Sequence, residues 1–316
     1  MTSGPVPAIF HAGELAVQAR MGVVEAIRPF AERAIRDFMP DQHRDFFAQL
    51  PFLLVGAIDA QGRPWASAAF GQPGFVASPE PQTLTIGALP LLASELGLQL
   101  EAGDAIGLLG LEPPTRRRNR MNGTITAADD SLTVAVGQSF GNCKKFIHAR
   151  ALAWRDPRPG ALVRSPGLSP QVRDLIARAD TIFIASRSPV VAGSPDKGLD
   201  VSHRGGRPGF VKVAENGLIS FPDFSGNNLF NTAGNIVADG RIGFFVPDFE
   251  RGDAVFLTGR AAIDWDGPRV ATLSGAMRIF DIEAEESLFA PGILPLTGPL
   301  TEPSPFVAAT GVWGEG

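Results

Sequence analysis

Four short segments of this chain occur twice, in the same order. PGFV at 73–76 returns at 208–211, and LTI at 84–86 returns as LIS at 218–220. IGLL at 106–109 returns as IGFF at 242–245, and MNG at 121–123 as LTG at 257–259. The displacement stays between 134 and 136 positions throughout. Ordered anchors at nearly constant spacing mark a duplicated structural unit. Each copy is dense in short β patterns and leaves room for one helix. A parallel α/β sheet needs a helix between most strands, so that class is excluded. Small antiparallel barrels fit, because closing a sheet removes its exposed edges. The expected class is mainly β with peripheral helices (α+β), built from two tandem barrels. A length of 316 residues suits two cores.

The chain divides accordingly. Residues 1–50 carry helical spacing over 14–20, 23–38 and 45–50, with Pro40 as a stop. Residues 51–150 hold the first barrel, with strands over 52–58, 64–70, 75–77, 83–86, 105–111, 124–126 and 132–138. Helical pieces are expected over 91–100 and 142–149. Residues 151–179 form a linker and a helix over 170–178. Residues 180–290 hold the second barrel, with strands over 180–186, 210–213, 218–221, 241–246 and 254–263, and a loop over 187–199. A helix and a last strand share 268–290. The tail 291–316, rich in Pro, Gly and Thr, reads as extended and draped on its surroundings.

The second copy contains the stretch that invites chemistry. Glu215-Asn216-Gly217 places an Asn-Gly pair between two apolar runs, a hairpin signal. Pro222 ends the returning strand, having no N–H for a ladder. Asp223, Ser225, Gly226, Asn227, Asn228, Asn231 and Thr232 then crowd donors and acceptors at the start of a helix. Helix starts favour anions, and Ser and Asn supply side-chain partners there. Two readings stand: a phosphate cradle at the mouth of a β-structure, or an Asn-rich capped turn. The first copy carries Ala88, Leu89, Pro90, Leu91, Leu92 and Ala93 in the same place, so only the second copy offers a full cradle and the first becomes a wall.

DVSHRGGRPGFVKV at 200–213, LISFPDFSGNNLFNTAGNI at 218–236 and RIGFFVPDFERGDAVFLTGRAAIDW at 241–265 together resemble the pyridoxamine 5′-phosphate oxidase-like family of FMN-binding split β-barrels. The branch of flavin-nucleotide-binding proteins is the nearest in pattern. The resemblance covers residues 180–266 well and the first copy more weakly, ending in QSFGNCKKFIHAR at 138–150. It implies FMN lying across the strand pair, its phosphate near the loop after the returning strand. The residues it assigns to the cofactor are Ser202, His203, Arg204, Gly205 and Lys212, with Pro222, Asp223, Ser225, Gly226, Asn227, Asn228 and Thr232 beyond them. This loop has Ser, Gly and Asn where vitamin-oxidase members have basic residues, which argues against their substrate. The implied activity is a flavin-dependent oxidoreductase acting on a small molecule with NAD(P)H or a similar reductant. The alternative is a non-catalytic flavin-nucleotide carrier or sensor. A deazaflavin in place of FMN also stays open. Barrels of this family pair around the flavin; the tandem copies could supply that pairing within one chain, and a homodimer is compatible too.

Other features bound the reading. A net charge of −5 offers no basic field for nucleic acid. No run approaches the length of a membrane span, and the start lacks a secretory pattern, so a cytoplasmic protein is expected. One cysteine excludes an intrachain disulfide, and four scattered histidines argue against a metal site. Tyrosine is absent, which removes it from any catalytic proposal; no catalytic residue is identified. Cys143 beside Lys144 and Lys145 reads either as an activated thiol or as a small buried residue flanked by solvated lysines. The basic run 116–120 reads as a solvated hairpin rim or a contact to an acidic partner. His203 reads as a redox-side acid or, more simply, as a packing residue.

Overall fold

Period-two burial and tight turns organise most of the chain into two large antiparallel sheets. The computed structural model describes residues 9–191 and 196–314. Positions 1–8 of the expected helical lead, 192–195 of the expected loop and 315–316 of the tail lie outside the described residues. The N-terminal sheet comprises Phe52–Ile58 (β1), Pro64–Phe70 (β2), Val76–Ala77 (β3), Thr83–Ile86 (β4), Ala105–Glu112 (β5), Arg117–Ala128 (β6) and Leu132–Gly141 (β7), in the order β2-β1-β5-β6-β7-β4-β3. The C-terminal sheet comprises Thr181–Arg187 (β8), Leu199–Gly205 (β9), Lys212–Val213 (β10), Ile219–Phe224 (β11), Arg241–Pro247 (β12), Ala254–Asp264 (β13) and Ala276–Ala290 (β14). Its order is β9-β8-β12-β13-β14-β11-β10, with Val163–Pro166 added beside β14. The second order is the first with every strand advanced by seven.

The strands β1, β5, β8 and β12 are buried on both faces, which is why they read as continuous apolar runs. Alternation still sorts their side chains. Leu53 and Val55 enter a core under the N-terminal sheet with Ile106 and Leu108. Ile182 and Ile184 enter a core under the C-terminal sheet with Phe244 and Phe280. Leu54, Trp65, Leu109, Phe183, Phe245 and Phe256 face the other way and form a third core shared by both sheets.

Two glycines set how closely the sheets meet. A Cβ on Gly107 of β5 would lie 2.6 Å from the carbonyl oxygen of Leu199 at the start of β9, and one on Gly243 of β12 would lie 2.2 Å from that of Pro64 at the start of β2. Both glycines belong to the recurring IG pair. Six helices among the described residues sit around the sheets: Ala12–Arg20 (α1), Val24–Ala34 (α2), Asp41–Ala48 (α3), Pro170–Arg178 (α4), Asn231–Ala238 (α5) and Pro268–Ala271 (α6). None is long and apolar enough to cross a membrane. Beyond β14, Leu296–Thr297 pairs with Ala153–Trp154 and Leu300–Glu302 with Ala149–Arg150. The tail is draped over the middle of its own chain.

Several local expectations are corrected. Residues 91–100 form successive turns and no helix, because Leu92 and Gly97 adopt left-handed φ values of 55° and 65° that interrupt the helical ladder. Residues 142–149 are likewise not helical, with Phe146 at φ 66°. The run 116–120 does stand at the β5–β6 hairpin, with Arg117 exposed there, but as part of strand β6 it is only partly a solvated rim: Arg120 is buried and Arg118 half-buried. The strand expected over 210–213 is reduced to Lys212–Val213. Pro222 does not end its strand, since β11 continues to Phe224. Past Ser220 that strand is bonded to β14 on one side and no longer to β10 on the other, so a missing N–H costs little there.

The glycine contacts give a first prediction. Valine favours strands over glycine in an open setting, but at position 243 its Cβ would occupy the space of the Pro64 carbonyl. Gly243→Val should destabilise the protein by about 1–3 kcal/mol through overpacking, read as a lowered midpoint in urea denaturation. An unchanged or raised midpoint would show that the sheets can separate freely at this point.

Candidate functional site

A cavity of about 350 Å³ opens where the C-terminal sheet meets β6 and the segment after β7. Its size lies in the range of small-molecule and cofactor clefts, ~300–1,000 Å³. One wall comes from β9, β11, β14 and the start of α5. Ser202, His203, Arg204, Gly205, Pro222, Asp223, Ser225, Gly226, Asn227, Asn228 and Thr232 all line it. Of the cofactor residues expected from sequence, Lys212 alone stands apart: it is exposed, with Nζ 5.4 Å from the ring of Trp313. The opposite wall comes from Leu109, Arg118, Arg120, Asn142, Lys145 and Phe146 of the N-terminal half.

Strand alternation explains why the arginines of β6 arrive here. Arg118 and Arg120 share one face of the strand, while Arg117 points away and covers Phe46 at 4.8 Å. Arg120 is buried. It donates to Asp200 and, from Nη2, to the carbonyl of Val201 at 3.0 Å and to Ser202 Oγ at 2.5 Å. Asp200 also accepts from Asn122 at 2.8 Å and from Asn235 of α5 at 2.7 Å. Asn235 in turn meets His11 Nε2 at 2.9 Å. Glu14, buried in the first turn of α1, accepts from the backbone N–H of His11 and from Asn231. Burial and the nearby Asp200 push the Glu14 carboxyl well above the usual carboxylate range.

On the C-terminal wall one carboxylate serves two guanidinium groups. Asp223 lies 3.2 Å from Arg204 Nε and 3.3 Å from Arg278 Nε. Arg278 is 2 % exposed, held between the rings of Phe230 and Trp265 at 4.9 and 5.2 Å. Burial and the neighbouring Arg204 lower its pKa, which Asp223 partly offsets. Arg278 Nη1 and Thr232 Oγ1 are buried without a hydrogen-bond partner. The helix α5 begins at this wall after Phe230, a residue with φ 63°, and no side chain caps it. Its first N–H groups and the positive end of its dipole therefore face the cavity. Arg278, Arg118 and Arg120 are the cavity cations that sequence reasoning missed. The R-x-R alternation of β6 is the signal that could have found the last two.

The polar loop has its own constraints. Asn228 adopts φ 60°, a conformation asparagine tolerates better than most residues. Asn227 Oδ1 accepts from the backbone N–H of Leu229 at 3.2 Å, which makes it a turn-former as well as a lining residue. Cys143 is half-buried, its carbonyl accepting from Arg118 Nε at 2.5 Å. The ammonium of Lys145 reaches Ser225 Oγ at 3.0 Å, across the cavity mouth.

No family model matches the sequence, and no curated protein matches it. Among solved structures, chains of HupZ from Group A Streptococcus align at 12–13% identity and a TM-score of 0.30, over 38–43% of this chain and 98% of theirs. A candidate pyridoxamine 5′-phosphate oxidase from Corynebacterium glutamicum aligns at 15% identity and a TM-score of 0.30, over 45% of this chain and 98% of its own. A similar candidate from Lactobacillus delbrueckii aligns at 13% identity and a TM-score of 0.31, over 38% and 93%. Each likeness is low and spans less than half of this chain.

His203 gives the site a pH signature. It is buried, its Nδ1 has no partner, and its ring packs on Phe183 at 5.6 Å. Burial, with added repulsion from Arg118, His148 and Arg204, holds it well below the ordinary 6.5. The folded state therefore stays neutral at this position while the unfolded chain takes up a proton below pH 6.5. The associated stability is present above that value and lost as pH falls. His11 and His43 shift the same way by burial. We expect the melting temperature to drop as pH is lowered below 6.5 and the slope to be shallower in His203→Gln. Parallel slopes in the two proteins would refute the assignment.

Proposed function

We propose that this chain binds one FMN in the cavity and works as a flavin-dependent oxidoreductase on a small molecule, with NAD(P)H or a similar reductant. The observation that carries the reading is the anion-seeking wall. Arg204, Arg278, Thr232 Oγ1 and the uncapped start of α5 converge on one corner, with a single carboxylate between the two guanidinium groups. A phosphate monoester suits such a corner. Met21, Val23, Phe230 and Met277 add apolar lining to the same cavity, which a flavin ring would need. The residues present thus fit the group that the sequence resemblance implies. Bound there, the flavin would supply the electron transfer; the chain's own residues bind its phosphate, orient it and exclude water.

A tandem pair of split barrels, over 51–150 and 180–290, accounts for why one flavin is expected and not two. Leu109, opposite Leu54 and Arg120, takes the place in its sheet that Phe245, opposite Phe183 and Phe256, takes in the other. By the same register Arg120 corresponds to Phe256, Arg118 to Ala254, His203 to Ala68 and Arg204 to Ala69. The counterpart place is packed with Ala68, Phe249, Phe256, Leu294 and Leu296 in the shared core. A dianion buried among such groups would face several kcal/mol of desolvation. The alternative of a carrier or sensor draws support from His203, the one histidine lining the cavity, which is kept neutral and buried.

The test is a fluorescence-quenching titration with FMN, absorbance of released flavin, and anaerobic addition of NADH or NADPH. We expect one flavin per chain, bleached by the nicotinamide. Arg204→Leu should weaken FMN binding about tenfold or more, the cost of a charge-assisted hydrogen bond of roughly 1.5–3 kcal/mol. Two flavins per chain, or unchanged affinity in that variant, would place the site elsewhere. A flavin that binds but resists every reductant would favour the carrier.

A further inference from the structure

The two walls of the cavity differ in how their cations are paired. Arg120 meets Asp200 from behind, and Arg204 and Arg278 share Asp223. Arg118 and Lys145, on the N-terminal wall, pair with no carboxylate among the described residues. Arg118 donates only to the carbonyls of Cys143 and His203, and Lys145 to Ser225 Oγ. Five lining cations against these two carboxylates leave three positive charges. A flavin phosphate contributes about two negative charges at neutral pH and sits on the other wall. The cavity then keeps a net charge of about +1, and its two cations without a carboxylate partner are Arg118 and Lys145. Burial together with the nearby Arg204 lowers the pKa of Arg118, which is half-buried, to about 9.

Aromatic surface lines the cavity beside the two cations. Phe146 and Phe224 line the cavity with ring centroids 5.1 Å apart, and Lys145 Nζ stands 5.8 Å from the ring of Phe306. We propose that Arg118 and Lys145 are the recognition site for the second reactant, a small planar organic anion bearing a carboxylate or phosphate, seated between these cations and the Phe146–Phe224 pair. The inference rests on the flavin reading, because the C-terminal wall must be taken by the flavin phosphate for the N-terminal wall to receive a different molecule. Arg118 fixes the anionic group through its planar fork, and Lys145, on a longer and more exposed stem, closes over it from the mouth.

The experiment titrates FMN-loaded protein with benzoate, phenyl phosphate and the uncharged benzamide, following the visible flavin band and the heat of binding. One or both anions should bind at least about tenfold more tightly than benzamide, and the stronger anion tells carboxylate from phosphate. Arg118→Leu and the more exposed Lys145→Gln should each erase most of that preference while FMN affinity stays within about twofold. Equal binding of anions and benzamide would overturn the proposal. So would a parallel loss of FMN in either variant, which would put these cations on the flavin phosphate. If the wild type takes up no FMN, the flavin reading fails by itself. Calorimetry on the flavin-free chain then separates the two: an anion preference erased by Lys145→Gln keeps Arg118 and Lys145 as an anion site but ends their role toward a second reactant beside flavin, and no preference ends both.

Discussion

Asp200 is where the two halves of the molecule are tied. One of its oxygens accepts from Arg120 and Asn122 of the N-terminal sheet, the other from Asn235 of the helix that starts at the cavity. A buried ion pair gains little net stability over apolar packing, yet losing one partner strands a charge at a cost of about 3–5 kcal/mol. Such a contact works mainly as a constraint on geometry. It holds the face of β6 in one register against β9, so Arg118 and Ser202 meet across the same opening. The glycine contacts at 107 and 243 let the sheets come near enough for this pairing to form.

Much of the architecture was legible in the sequence because it depends on local period and on repetition. The apolar runs of β1, β5, β8 and β12 and the helix over 170–178 follow from patterns a few residues long; the order of strands within each sheet and the strand β9 do not. Eleven of the twelve expected cofactor residues line one cavity because they lie on two adjoining segments, 202–205 and 222–232. What could not be read depended on distant partners. Arg118 and Arg120 look like part of a solvated cluster until β6 is seen to extend through them, when alternation separates them from Arg117. Arg278 sits in a strand whose neighbours give no hint of Phe230 and Trp265 closing around it. Asp200 was in plain view, but its role belongs to Arg120, eighty positions away. The failed helices at 91–100 and 142–149 have composition in their favour; left-handed residues at Leu92 and Phe146 decide otherwise, and nothing in either residue type announces it.

In the proposed pairing of the two units, matching registers carry different chemistry. Where one unit presents a guanidinium or an imidazole, the other presents alanine or phenylalanine. The polar set surrounds an opening and the apolar set fills the equivalent space. Side chains at matching registers differ while a glycine stands at each close approach of the sheets, Gly107 and Gly243; the backbone differs as well, since the N-terminal half has turns over 91–100 and no counterpart of α5.

The pairing of Leu300–Glu302 with Ala149–Arg150 has a consequence for how the chain reaches this state. These partners are separated by nearly half the sequence, and contacts of that span form late because closing the intervening loop is entropically expensive. During synthesis the N-terminal sheet can collapse early, but the segment after it waits for residues translated long afterwards. Until they arrive, the edge at 149–154 is an unpaired strand template. Translation speed and chaperone access over that interval, more than the final stability, would then govern how much of the protein escapes association through this edge.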